Sequence, residues 1–191
     1  MSEKSQFLKE LFQERRSCRN FSKRALPSNI VEQIISMAKL SPFAGGRKNW
    51  GVEVVNSSET ISKIAVAVEE RLNASAALME RESAPLFLEY GKSFLFFKEA
   101  PTLLIPHFRV SPTMRALLRD RVTEELLQWE RENAVKSISA VTTFILLAAE
   151  SLGVESCYMT GPLIASDTIA QILQLPKERE IGALVPIGYC K

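Results

Sequence analysis

Histidine is all but missing from this 191-residue chain; His107 is the single one. One imidazole excludes a histidine-pair acid–base device. The three cysteines, Cys18, Cys157 and Cys190, have no metal-ligand spacing, so the expectation is no metal. Odd in number and far apart, they read as free thiols, which points to a reducing compartment, the cytoplasm. Glycine is sparse, eight residues, and no glycine-rich strand-turn-helix fingerprint of the dinucleotide-binding or P-loop kind occurs. Paired-carboxylate motifs and a Gly-x-Ser-x-Gly nucleophile elbow are missing too. Net charge is only +2, from 24 basic and 22 acidic residues, which gives no global drive toward nucleic acid or an anionic membrane. No apolar run approaches membrane-spanning length, and residues 1–6 lack the charged-then-apolar order of a signal peptide.

What is present suits one domain over residues 1–191, with 46% hydrophobic and 24% charged residues. Phe7, Leu8, Leu11 and Phe12 predict a helix over 5–16. Pro27-Ser28-Asn29 opens a second helix that ends before Pro42. A strand follows at 51–55, then a third helix from Ser57 to about residue 81. Residues 82–98 are dense in Leu and Phe without clean periodicity, either short helices or a lid-like excursion. Residues 100–106 read as a buried strand, with His107 at its end. A charged exposed helix is expected over 112–133 and a separate core helix over 134–152, capped by Gly153. Ser156–Met159 reads as a strand, Thr160–Pro162 as a turn, 166–173 as a short helix and 181–189 as the last strand. The sum is an α+β layer structure.

Two stretches carry unusual chemistry. Arg15-Arg16-Ser17-Cys18-Arg19-Asn20-Phe21 sets three guanidinium groups and a hydroxyl within five residues. Their donors match phosphate oxygens, although a solvated basic patch at a helix end would look the same. Ser41-Pro42-Phe43-Ala44-Gly45-Gly46-Arg47-Lys48-Asn49-Trp50 is a glycine-containing loop with two cations and an aromatic, or simply a turn into a strand.

In order, these pieces resemble the nitroreductase family of flavin mononucleotide (FMN) enzymes. The first stretch is similar to that family's Arg-Arg-Ser-x-Arg-x-Phe, and the second to its Ala-Pro-Ser-x-x-Asn-x-Gln-Pro-Trp. Ala100-Pro101 before a strand, Leu146–Gly153 leading to Gly161, and Ile187-Gly188-Tyr189 complete the order. The resemblance implies a mixed, mainly antiparallel sheet flanked by helices, in an intertwined homodimer with FMN at the interface. It implies that Arg15, Arg16, Ser17 and Arg19 hold the FMN phosphate, ribityl chain and ring edge. Pro42, Phe43, Ala44, Gly46 and Lys48 would reach the flavin from the partner subunit, and Tyr158, Met159, Thr160 and Gly161 would lie near the ring. No side chain is expected to be catalytic, because flavin N5 would carry the hydride. NADH or NADPH would be the donor, and a small nitro-aromatic, quinone or similar molecule the acceptor.

Departures accompany the match. Phe43 replaces a serine, Gly46 an asparagine, Lys48 a glutamine and Asn49 a proline, which alters the expected partner-subunit wall. Tyr189 is followed by two residues where many members carry a longer tail, which implies looser FMN binding or a smaller dimer interface. Other readings are another flavin chemistry on the same fold (dehalogenation, flavin fragmentation, heterocycle dehydrogenation) or a non-enzymatic flavin-binding dimer. A basic nucleic-acid surface around Arg115, Arg119 and Arg121 lacks interleaved aromatic stacking residues.

Overall fold

Strand β2 (Thr102–Phe108) explains the architecture, because every one of its residues is buried. Its side chains alternate between two cores. Leu103 and Ile105 enter one, Leu104 and Phe108 the other. The sheet must therefore be covered on both faces. The computed structural model describes residues 2–46 and 49–191. The helices are α1 (Glu3–Glu14), α2 (Ser28–Ala38), α3 (Ser58–Ala76), α4 (Ser83–Gly91), α5 (Thr113–Leu118), α6 (Glu124–Ser151) and α7 (Ser166–Ile172). The remaining strands are β1 (Trp50–Val55), β3 (Glu155–Ser156), β4 (Glu180–Ile181) and β5 (Val185–Gly188). Helices α2 and α6 cover one face, and α3 and α7 the other.

The sheet order is β1-β2-β5-β3, with β4 also on β2, and all these pairs are antiparallel. A parallel bridge, Ser17 with Ser156, adds the N-terminal segment beside β3 and makes the sheet mixed. The α+β expectation holds. The last strand is broken in two: β4 pairs with His107 and Phe108, β5 with 102–104. His107 is the second-last residue of β2, opposite Gly51, whose missing side chain leaves room for the imidazole. A Cβ there would stand 2.8 Å from Cε1 of His107.

Three expectations are corrected. The third helix stops at Ala76, short of the expected residue 81, while residues 82–98 take the short-helix alternative, as α4 and a tighter 3-10 segment, Lys92–Glu99. The helices expected over 112–133 and 134–152 have their boundary elsewhere. Chain reversal at Arg119 (φ 50°) ends α5, and α6 then runs unbroken for 28 residues. Thr123 starts it, its hydroxyl accepting from the Leu126 amide, with Glu124 and Glu125 favourable beside the positive helix end. The Glu130 carboxylate accepts from the Met114 amide, which holds α5 back against α6. Gly153, at φ +69°, closes the helix as expected. Third, α6 is long and apolar enough to cross a membrane by length and composition alone, contrary to the expectation of no such run. Its apolar side is buried instead, with Ile138, Val141 and Ile145 against the sheet.

The free-thiol expectation also fails for two cysteines. Cys18 and Cys190 form a disulfide, and Cys157 alone is a free thiol, buried. Their 172-residue separation hid a pair whose Cα atoms lie 6.1 Å apart. The step from free thiols to a reducing compartment lapses with it.

Candidate functional site

After α1 ends at Glu14, the chain continues extended beside β3. The Cys18 amide donates to the Ser156 carbonyl at 3.0 Å. Extended backbone sends alternate side chains to opposite sides. Cys18 is buried, while Ser17 and Arg19 on either side are exposed, and Phe21 is wholly buried. The burial of Cys18 therefore fixes which side Ser17 and Arg19 present.

Cys157, the next residue after β3, shows what these groups surround. Burial pushes its thiol above the usual cysteine range. A hydrogen bond with the Ser17 side chain and the charges of Arg19 and Arg15 press the other way. Ser17, Arg19 and Arg15 thus all bear on one thiol. Arg15 is also felt by Glu150, whose carboxyl is raised above its ordinary 4.5 by burial and then by Glu155 and Glu14.

A cavity of about 200 Å³ opens at this place. Arg19 and Cys157 form one side, and Tyr158, Met159, Thr160, Gly161 and Pro162 another. Tyr90, Ser93, Phe94 and Phe96 complete the wall. Arg19 carries the only formal charge among these lining residues, so the cavity suits an electron-rich or anionic ligand. Tyr90 and Phe94 meet edge to face, ring centroids 5.0 Å apart. A side chain on Gly161 would run into the Phe94 ring, so glycine is what lets the turn approach the aromatic wall. The turn itself is rigid. Met159 and Leu184 exchange backbone hydrogen bonds at 3.0 and 2.9 Å, and the Tyr158 hydroxyl is 3.3 Å from Ser139 Oγ on α6.

The structure therefore sets Arg19 in one cavity with Tyr158–Gly161, while Ser17 and Arg15 bear on the Cys157 thiol that lines it. Of the three arginines Arg19 alone lines the cavity; Arg15 acts on the Cys157 thiol from outside the lining, and Arg16 is exposed and donates to the Arg15 carbonyl. The second stretch lies elsewhere. Pro42, Phe43 and Ala44 line a separate groove against Asn133, Lys136, Ser137 and Ala140 of α6. The Ala44 amide donates to Ser137 Oγ at 3.1 Å, and Phe43 stacks on Trp50. Gly46, at φ +84°, turns the loop. Asn49 pins it, donating to the Gly45 carbonyl and accepting from Arg109. Lys48 lies outside the described residues. Cavity and groove share no residue.

The sequence reading missed Tyr90, Ser93, Phe94, Phe96 and Cys157 as cavity residues. The aperiodic aromatic density of 86–97 was the available signal, since a helix that packs one face on the core would show a stripe. Among the described residues no group of three or more His, Cys, Asp or Glu could hold a metal ion.

The fold is that of known flavoproteins. A BluB-like flavoprotein from Clostridium difficile 630 superposes with a TM-score of 0.84 at 22% identity, over 96% of this chain and 90% of that one. A nitroreductase with bound FMN from Desulfitobacterium hafniense DCB-2 superposes with a TM-score of 0.71 at 22% identity, over 95% and 88%. The chain belongs to the nitroreductase family, whose profile matches residues 12–189. Among relatives, an iodotyrosine dehalogenase 1 homolog of Caenorhabditis elegans is 27% identical over 97% of this chain. An iodotyrosine deiodinase of Haliscomenobacter hydrossis is 26% identical over 99%. The chain spans 55% of the worm protein's length and 82% of the bacterial one's.

Proposed function

We propose that this chain is an FMN-dependent oxidoreductase that acts as a homodimer, reduced by NADH or NADPH and reoxidised by a small electron-poor acceptor such as a nitro-aromatic or quinone. The observation that carries the reading is one aromatic-walled cavity lined by Arg19, Cys157 and the Tyr158–Gly161 turn, with Ser17 and Arg15 acting on that same Cys157 thiol. The residues fit the cofactor. The Arg19 guanidinium lines the cavity, and Arg15 and the Ser17 hydroxyl neighbour its Cys157 wall. These are donors of the kind a phosphate dianion needs, and no acidic side chain lines the cavity to oppose it. When bound, FMN supplies the hydride chemistry.

The chain's own residues bind and orient. Arg15 and Arg19 offset the phosphate charge, and Ser17 adds a hydroxyl donor. The backbone of the 158–161 turn, held by the Met159–Leu184 pair, offers fixed amides to the ring edge. Phe94, Phe96 and Tyr90 exclude water from one flank and offer faces on which a planar acceptor stacks. A cavity of about 200 Å³ falls below the roughly 300–1,000 Å³ usual for a ligand of this size. A second chain's 42–46 loop, which shares no lining residue with its own chain's cavity, supplies the missing wall in this reading.

The test is the visible spectrum of purified protein reconstituted with FMN, followed by anaerobic NADH or NADPH. Flavin bands that bleach within seconds are expected; no flavin bands after reconstitution would sink the reading. A second reading, reductive dehalogenation, is favoured by the relatives named as iodotyrosine dehalogenase and deiodinase. Release of iodide from 3-iodo-L-tyrosine by the chemically reduced holoprotein, without comparable nitro-aromatic turnover, would select it.

A further inference from the structure

Cys18 lies between Ser17 and Arg19, two of the three residues assigned to the phosphate. Its disulfide partner, Cys190, is the second-last residue of the sequence. Around the bond the two chain segments meet in one antiparallel bridge, Phe21 with Cys190, beside the wholly buried Phe21 ring. Ser22 donates to the Tyr189 carbonyl at 2.7 Å, and Lys191 to that of Asn20 at 2.9 Å. Arg24 lies 4.2 Å over the Tyr189 ring. The disulfide is the one covalent tie here, and its two ends differ in access: Cys18 is buried and Cys190 exposed.

We propose that the Cys18–Cys190 disulfide is a reversible redox fastener on the flavin-phosphate grip, opened by a dithiol reductant at Cys190, and that the opened chain holds FMN more weakly. The inference rests on the FMN reading above. One thiolate of the reductant attacks Cys190 Sγ, the S–S bond breaks, and Cys18 leaves as a thiolate that takes up a proton. The reductant's second thiolate then attacks its own sulfur in the mixed disulfide and releases Cys190, also to be protonated. Two electrons pass from the dithiol, which becomes a disulfide, to the two cysteines. Attack at Cys190 follows from exposure. Weaker binding follows because Ser17 and Arg19 are exposed side chains on a segment held in place partly through Cys18, so an opened segment must be ordered as FMN binds.

The experiment compares air-oxidised protein with protein reduced by dithiothreitol. Alkylation under denaturing conditions should label one cysteine in the first and three in the second; three labelled in both would overturn the disulfide. Hydrogen exchange of apoprotein at the amides of Cys18, Ser22 and Lys191 should quicken on reduction, and unchanged exchange would overturn the fastener. FMN affinity by fluorescence titration should fall about tenfold on reduction. Cys190→Ser should show the weaker affinity with or without reductant. Bound FMN of equal affinity in both states overturns the switch alone. FMN bound in neither state overturns the flavin reading with it, while the exchange contrast still reports the disulfide's hold on the segment. Reduced wild type provides the same comparison should the variant fail to fold.

Discussion

At the scale of single residues, the three neighbouring arginines are not equivalent. Arg15 and Arg19 act on the Cys157 thiol, whereas the Arg16 guanidinium is exposed and turned to its neighbour's carbonyl. Arg15→Ala and Arg19→Ala should each weaken FMN by about 10- to 100-fold, since a charge-assisted contact contributes about 1.5–3 kcal/mol. Arg16→Ala should change it by less than about threefold. Riboflavin, which lacks the phosphate, should bind all four proteins alike; fluorescence titration with both flavins checks this. His107 gives a separate prediction about stability. Burial, then the Arg179 charge, holds its pKa below the ordinary 6.5, and Glu53, 3.5 Å away, only partly offsets this. The unfolded chain then binds the proton more readily than the folded one. Stability from this group is present above about pH 6.5 and is lost as pH falls through the window below it. The melting temperature should drop more between pH 7.5 and 5.5 in wild type than in His107→Gln.

Helix α6 carries the element-scale argument. Its charged first half and apolar second half read as two helices because periodicity reports environment, and environment changes along α6 while conformation does not. No glycine or proline occurs between Thr113 and Leu152, so nothing local forces a break within α6. This one helix supports both halves of the proposed site from different sides, Ser137 holding the 42–46 loop and Ser139 the Tyr158 hydroxyl. Its start depends on Thr123. Thr123→Ala should cost about 1 kcal/mol, within the usual range for a lost N-cap, and Thr123→Ser should restore most of it. Chemical denaturation measures both. The cavity's aromatic wall is the other element to note. The 3-10 geometry of Lys92–Glu99 buries Phe94 and Phe97 together, three residues apart, because side chains at i and i+3 eclipse in such a segment.

At the scale of the whole molecule, the cavity and the 42–46 groove occupy separate places on one chain. A homodimer that brings them together is the arrangement the proposed function requires. Phe7, Phe12 and Phe144 are exposed by 60%, 53% and 38%, on α1 and α6. Burying such side chains in a dimer contributes about 1.5–3 kcal/mol each. Phe144→Arg should therefore shift the protein toward monomer in light scattering and lower FMN affinity in parallel. A variant that stays dimeric and binds FMN normally would remove α6 from the interface.

The sequence by itself determined the helices α1, α2 and α7 within a few residues, the buried strand β2, the Gly153 stop and the family. Each of these is written in local spacing: apolar residues three and four apart, alternation, or a glycine where φ must be positive. Tertiary structure alone decided that Cys18 meets Cys190 across 172 residues, that Arg19 faces the same cavity as Phe94, and that Arg16 does not line it. Proximity of this kind is created by packing two faces of a sheet at once, and no short window of sequence contains both partners.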